Sequence, residues 1–274
     1  MYTINMYLAV DIGGSKTLCA LFNEAGQILS EVLFPTPKKY PDFIKKLSTS
    51  VVNLAGDKKF AAVCIAVPGK VDRLRGIALD FGNLAWHDVH IKRDFEEIVP
   101  HTPVYIENDA NLAGLSEAEL RKKYKKVLYL TVSTGIGDGF IINGIIEPSL
   151  ADSEAGQMIL EHDGHLQKWE DFASGRALTK KYGKKASEIN DPRIWKEFVK
   201  GLAAGIGELA ATLMPEVIII GGGVGTHYEK FGDFLEAELK KYDDKLVKVP
   251  PILKAKRPEE AVVYGCYDFI RQKI

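Results

Sequence analysis

Residues 8–22 read LAVDIGGSKTLCALF, and residues 128–142 read LYLTVSTGIGDGFII. Each is an aliphatic run, a glycine-bearing turn and a second apolar run. Each is followed by a short polar turn and a third apolar segment, EAGQILSEVLF (24–34) in one case and NGIIEPS (143–149) in the other. Both therefore predict a three-stranded antiparallel meander. Setting Leu8–Gly13 against Leu130–Gly135 superposes the first glycine of each turn, and internal duplication is the economical reading.

Working outward, an amphipathic segment (41–54) predicts a helix, and FAAVCIAVPG (60–69) predicts a buried strand. PVYIENDANLAGLSEAEL (103–120) predicts a strand over Val104–Ile106, a polar junction at 107–109 and a helix. After the second meander come the helical patterns WEDFASGRALTKKYG (169–183) and DPRIWKEFVKGLAAGIGELAATLM (191–214). The buried strand PEVIIIGGGV (215–224), a helix over Tyr228–Tyr242 and a last helix over 258–273 complete the chain. Apolar strands alternating with helices predict an α/β protein whose sheets are covered on both faces.

The 274 residues are 46% apolar and 27% charged with a formal net charge of −1, so disorder and electrostatic binding to nucleic acid are not expected. Cys19, Cys64 and Cys266 lie far apart in apolar runs and read as buried thiols of an intracellular protein. The start, MYTINMYLAV, lacks a basic region followed by a long apolar run, and nowhere do 18 apolar residues follow one another. The expectation is a cytoplasmic protein without membrane association.

Three strand ends carry glycine turns: DIGGSK (11–16), STGIGDG (133–139) and IIIGGGVG (218–225). Glycine lets backbone amides approach an anion closely, so such turns can cradle phosphate oxygens. The spacing of a Walker A loop occurs nowhere. Gly135, Gly137 and Gly139 precede a strand rather than a helix, which excludes the dinucleotide fingerprint. Asp11 at a strand end can hold Mg²⁺, directly or through water, beside nucleotide phosphates. Ser15 and Lys16 add a hydroxyl and a cation where phosphoryl charge gathers. In the junction IENDAN (106–111), Asn108 or Asp109 can cap a helix, or Asp109 can accept the proton of a hydroxyl attacking a phosphate while Asn108 bonds a neighbouring hydroxyl.

These motifs, with VPGKVD (67–72), GNLAWHD (82–88), EAG (154–156) and EDFASG (170–175), occur in the order of the ROK family of repressors, open reading frames and sugar kinases. The chain resembles that family from about Leu8 to Ile270. The resemblance implies the duplicated two-lobe α/β ATPase fold of the actin-like/hexokinase (ribonuclease H-like) class. One lobe would comprise residues 1–112 with a C-terminal helix at 258–274, the other residues 113–257, with nucleotide and sugar in the cleft between them. It further implies an ATP- and Mg²⁺-dependent glucokinase-like sugar kinase acting on a hexose or N-acylhexosamine, and a homodimer. Carried over residue by residue, Asp109 is the catalytic base, and Asn83, Asn108, Glu154 and Glu170 contact sugar hydroxyls. Gly13, Gly14, Lys16, Thr134, Gly135 and Gly137 lie near the phosphates, and Gly222 and Gly223 near adenosine. The alternatives are a DNA-binding repressor and a catalytically silent sugar-binding protein. The first glycine turn begins by residue 13, leaving no room ahead of it for a helix-turn-helix, and retention of Asp109 speaks against silence. The lysine runs at 122–126 and 180–185 read as solvated helix faces rather than a polyphosphate channel, so ATP is the expected donor.

One segment departs from the family. SEAGQMILEHDGH (153–165) carries Gln157 where the family has a zinc-binding histidine, and the family's three cysteine ligands are missing before WEDFASG. A structural zinc needs a closed tetrahedral set. His162 and His165 with acidic neighbours fall short of it, and EHDGH reads as a solvated loop turning at Asp163-Gly164. The Gln157 amide can both donate to and accept from sugar hydroxyls without a metal. Elemental analysis of the purified protein is therefore expected to find no stoichiometric zinc; one zinc per chain would overturn this.

Overall fold

The computed structural model describes residues 5–56, 59–82 and 84–274. Asn83, the first of the expected sugar contacts, lies outside the described residues. The chain divides into two compact units, Met1–Ser116 with Glu260–Ile274, and Glu117–Glu259.

In chain order the first unit contains β1 (Met6–Ile12), β2 (Lys16–Phe22), β3 (Ile28–Pro35), α1 (Tyr40–Ala55), β4 (Phe60–Val67) and β5 (Val71–Asp72). It continues with β6 (Ile77–Phe81), β7 (Leu84–Val89), α2 (Ile91–Glu96), β8 (Val104–Asn108) and α3 (Asp109–Glu119), whose last turn enters the second unit. The main sheet has the order β3-β2-β1-β4-β8, with β1 antiparallel to β2 and parallel to β4, and β4 parallel to β8.

The second unit contains β9 (Lys126–Val132), β10 (Ile136–Ile142), β11 (Ile145–Ile146), β12 (Ile159–His162), β13 (His165–Lys168), α4 (Trp169–Ala173) and α5 (Gly175–Tyr182). Then follow α6 (Pro192–Leu213), β14 (Val217–Gly221), α7 (Gly222–Gly225), α8 (Gly232–Leu239) and β15 (Ile252–Lys254), before α9 (Ala261–Lys273) returns to the first unit. Its main sheet, β11-β10-β9-β14-β15, repeats the first in order and in the direction of every pair. The duplication seen in the glycine turns thus extends to whole sheets.

Strand alternation explains why both faces are covered. Leu8, Val10 and Ile12 of β1 meet Phe43, Leu47 and Val51 of α1, while Tyr7 and Ala9 meet Leu112 of α3 and Val263, Cys266 and Ile270 of α9. Each such fully buried aliphatic side chain contributes about 1.5–3 kcal/mol relative to exposure. In the second unit Leu128, Leu130 and Val132 of β9 pack with Trp195, Val199, Leu202 and Ile206 of α6. Helix α6 starts where Pro192 occupies its first turn and the Asp191 carboxylate accepts from Arg193 N, the capping pattern its sequence announces. All three cysteines are buried and free. Among the described residues no helix is long and apolar enough to cross a membrane.

Local structure departs from the sequence reading at four places. Strand β8 runs through Asn108, so α3 begins at Asp109 with no intervening junction. The pattern at 169–183 splits into α4 and α5 at Ser174, whose extended backbone and hydroxyl cap α5 through Ala177 N. The helix expected over Tyr228–Tyr242 is broken, because Phe231 (φ −139°) leaves the helical region to bury its ring against Trp195. Finally, EHDGH is the tip of a β12–β13 hairpin with positive φ at both Asp163 and Gly164, the two-residue turn whose twist matches its strands.

The tightest approach in the first unit is between α9 and α3, where a Cβ added to Gly265 would overlap the Leu112 carbonyl. Backbone cannot yield there as a side-chain tip can, and overpacking of this kind costs about 1–3 kcal/mol or more. Gly265→Ala is expected to lower Tm by roughly 2–12 °C, since roughly 2–4 °C accompanies each kcal/mol at this size. An unchanged melting curve would show that the helices separate freely.

Candidate active site

Asp11 is the last residue but one of the central strand β1, opposite Ala66 of β4 and Leu18 of β2. Burial raises its carboxyl from 3.8 to about 7, and the charge of Asp109 adds to the rise. The turn after it is closed by Gly13 N donating to Lys16 O at 2.9 Å. The hydroxyl of Thr36 donates to Gly13 O at 2.7 Å, and Lys38 Nζ to Gly14 O at 3.1 Å. The turn is thus braced from the segment after β3, while Ser15 and Lys16 stay exposed. Neither brace was legible in the sequence, because both act across a strand pairing.

The second carboxylate, Asp109, is the first residue of α3. Burial is again the main cause that pushes its carboxyl up, to about 6, against the opposing bond from Ala110 N to Oδ1 at 2.8 Å. Asn108 fulfils the capping role: its Oδ1 accepts from Ala110 N (2.8 Å) and Asn111 N (3.1 Å), and its Nδ2 donates to Gly69 O (3.0 Å). Glu107 is buried on β8. Its Oε1 accepts from Asn108 N (2.7 Å) and Asn111 Nδ2 (3.0 Å), and the Arg73 guanidinium grips both oxygens at 2.6 and 2.7 Å. This fork ties the end of β8 and the first turn of α3 to the loop after β5. Nothing local marked Arg73, which lies 34 residues before its partner.

In the second unit Ser133 N donates to Gly135 O at 2.8 Å to form the turn, and Gly175 N donates to Ser133 O at 2.7 Å. Gly137 lies opposite Thr131 in the β9–β10 pair. Gly222 has φ +76°, and a Cβ there would lie 2.6 Å from Thr131 Oγ1 and 2.7 Å from Val132 O. A cavity of about 410 Å³ opens beside the turn, lined by Ser133, Thr134, Gly175, Arg176, Thr179, Lys185, Ala186, Ser187, Gly223, Val224 and His227. It holds Thr134 and Gly223 of the expected nucleotide set and adds Arg176, Lys185 and His227, which the motifs did not single out. Burial keeps the His227 imidazole below its usual range, with Lys230 and Lys254 reinforcing it. The size suits a small ligand with one apolar and one charged part.

The departing segment assembles around β10. Asp138 accepts from Ser153 Oγ and from Ala155 N (2.8 Å), on either side of Glu154. Gln157 Nε2 donates to Glu170 Oε1 at 3.0 Å, and Ile136 N to Glu170 Oε2 at 3.3 Å. The Glu170 carboxylate lies over Gly135 so closely that a Cβ there would overlap Oε2. Glu170 is aimed by α4, whose Trp169 and Phe172 lie against Gly205 and Gly201 of α6 with Trp169 Nε1 donating to Gly201 O at 3.0 Å. His162 stacks on Phe172 with centroids 4.1 Å apart, and His165 is exposed. Among the described residues no three His, Cys, Asp or Glu side chains gather as a metal-holding group.

A model of the ROK family matches residues 7–273. A glucokinase from Streptomyces coelicolor is 26% identical over 98% of this chain and 98% of its own length. An N-acetyl-D-glucosamine kinase from Haemophilus influenzae is 30% identical over 95% of this chain and 97% of its own. Among solved structures, a ROK family glucokinase from Streptomyces griseus in complex with glucose and AMPPNP superposes with a TM-score of 0.83 at 26% identity, covering 98% of this chain and 100% of that one. The fold is the two-lobe actin-like/hexokinase α/β fold.

The raised carboxyls make a stability prediction with a definite sign. A folded-state pKa above the ordinary value means that the fold favours the protonated acid, so this stability is complete below about pH 4 and is lost as pH rises through about 6 to 7. Asp109→Asn removes one of the two opposed charges. It is expected to raise Tm at pH 8, with the gain shrinking towards zero at pH 4.5. A variant less stable than wild type at pH 8 would contradict the charge burial.

Proposed function

Since this chain belongs to the ROK family, we propose that it is an ATP-dependent sugar kinase transferring the γ-phosphoryl group to a hydroxyl of a hexose or N-acylhexosamine. The observation that carries this reading is the carboxylate pair, with Asp109 held at the start of α3 in surroundings that make it a stronger base than an ordinary aspartate. The glucokinase and N-acetyl-D-glucosamine kinase relatives support the substrate class, and the AMPPNP complex of one relative supports the donor.

Asp109 accepts the proton as the sugar hydroxyl attacks the γ-phosphorus and the bond to the ADP leaving oxygen breaks. At a pKa of about 6 it is ionised at neutral pH, yet basic enough to draw the proton in the transition state. Asn108 has one side-chain oxygen and one N–H committed to the backbone, so its second N–H is what it offers a hydroxyl. Gln157 and Glu170 orient one another. The glutamine retains its carbonyl oxygen and second N–H, and the carboxylate retains lone pairs, for the sugar. With Asn83 and Glu154 these form the sugar set.

Gly13, Gly14, Ser15, Lys16, Thr134, Gly135 and Gly137 serve the phosphates, while the 410 Å³ cavity beside Gly222 and Gly223 takes the nucleoside. The two carboxyls are held well above their ordinary range, which fits a neighbouring cation, and Asp11 would hold Mg²⁺ directly or through water. When bound, the ion supplies neutralisation of phosphate charge.

The test is an ATP-coupled screen of hexoses and N-acylhexosamines, in which at least one sugar is expected to turn over; none doing so would leave a silent sugar-binding protein. With the accepted sugar, Asp109→Asn should lower kcat by about 10²- to 10⁴-fold, the usual worth of a positioned base, while sugar binding by calorimetry persists. Activity close to wild type would remove Asp109 from the role.

A further inference from the structure

Asp138 is the one carboxylate at the glycine turns that the proposed chemistry does not use. It stands on β10 between Gly137 and Gly139, buried to 5% exposure. A buried acid needs partners, and those given to Asp138 flank a single residue. Oδ2 accepts from the Ser153 hydroxyl and Oδ1 from Ala155 N, so Glu154 is spanned by one carboxylate. The turn that follows is seated on the same strand. Gly156 approaches Ile136 so closely that a Cβ would overlap its carbonyl oxygen, and Glu170 accepts from Ile136 N. Residues 136 and 138 point to one face of β10. Strand β10 thus fixes Glu154 through the Asp138 side chain and its two neighbours, and holds Glu170 through the Ile136 backbone N–H.

We infer that Asp138 is a positioning residue for sugar recognition, clamping the backbone around Glu154 so that its carboxylate meets the sugar in one orientation. The inference rests on the sugar-kinase reading of Glu154 and adds to it a residue that would not touch the sugar. Burial pushes the Asp138 carboxyl up while the bonds from Ser153 and Ala155 N oppose the rise, and those bonds to its ionised form are shorter and about twice as strong as neutral ones. Its location gives it a specific signature: loosening Glu154 should weaken the sugar more than the nucleotide, whose cavity is lined by other segments.

The experiment is a double-mutant cycle in the full chain, using the sugar that the coupled assay identifies. Asp138→Ala is expected to raise the sugar KM by about tenfold or more, the effect of a lost charged hydrogen bond, with the ATP KM changed less than twofold. Asp138→Asn keeps a neutral acceptor for Ala155 N and should recover part of the loss. On a Glu154→Ala background, Asp138→Ala should have almost no further effect on sugar binding, because the two act through one contact. Thermal melts of all four proteins separate this from loss of fold, since a purely structural role would lower Tm and move both KM values together. If wild-type protein phosphorylates a sugar but the two substitutions add independently, the inference falls and the function stands. If wild-type protein turns over no sugar, the function reading falls and takes the inference with it.

Discussion

Charge held where water is scarce is the constraint around which both units are arranged. In the first unit Asp11 lies one residue from the end of β1 and Asp109 begins α3, and burial opposes the ionisation of both. Parallel strands make such a place: the carboxyl ends of β1, β4 and β8 lie on one edge, and the loops leaving them collect polar groups above a sheet apolar on both faces. The carboxyls cannot be satisfied by the core beneath, so the structure tolerates them at a cost in stability that only a function explains. Glu107, one residue before Asn108, shows the contrasting solution. Its charge is matched by a guanidinium fork and two further donors, and it serves to hold the strand-to-helix junction in shape.

Close approach is the second requirement, and the glycines that matter are those where another group occupies the space of a side chain. Gly135 yields its place to the Glu170 carboxylate, Gly156 to the Ile136 carbonyl, and Gly222 to the edge of β9 while adopting a positive φ. The missing side chains let the segments after each sheet sit close against the strand ends. Any side chain at Gly135 would push Glu170 off the turn and break its bond from Ile136 N.

What the sequence made legible was whatever is written locally. The two meanders, the glycine turns and the strand carrying the ENDAN motif depend on spacing within about ten residues, and they appear as the patterns indicate. The repeated strand-turn-strand unit is matched in the structure by the same sheet order in both units, which the sequence reading did not specify. The unseen part consists of partners chosen by the fold. Arg73 meets Glu107 across 34 residues, Ser153 meets Asp138 across 15, and Lys38 reaches the first glycine turn from beyond β3. None has a periodicity or a motif. Asp138 was in plain view inside STGIGDG, but it reads there as one polar residue among glycines until the position of Ser153 is known. The broken helix at Phe231 is a tertiary override: the aromatic pocket formed with Trp195 outweighs the helical continuity the apolar pattern suggests.

The segment from Gln157 to Glu170 shows how a short loop can be made firm with ordinary bonds. Its ends are joined by an amide-to-carboxylate hydrogen bond across 13 residues, and the chain between them folds back as the β12–β13 hairpin. The register pairs Ile159 with Lys168 and His162 with His165, so the chain returns to the start of α4 with no slack, and Trp169 N closes the ladder on Met158 O at 2.8 Å. The two histidines belong to that architecture. His162 lies flat on Phe172, and His165 sits beyond the turn, exposed. A hairpin with a two-residue turn has few alternative registers, because a one-residue slip would reverse every side chain in it. Backbone pairing, an aromatic stack and the Trp169 anchor on α6 hold the segment in place. The consequence falls on Gln157: its Nε2 is committed to the Glu170 carboxylate, which leaves its carbonyl oxygen and second N–H for other partners.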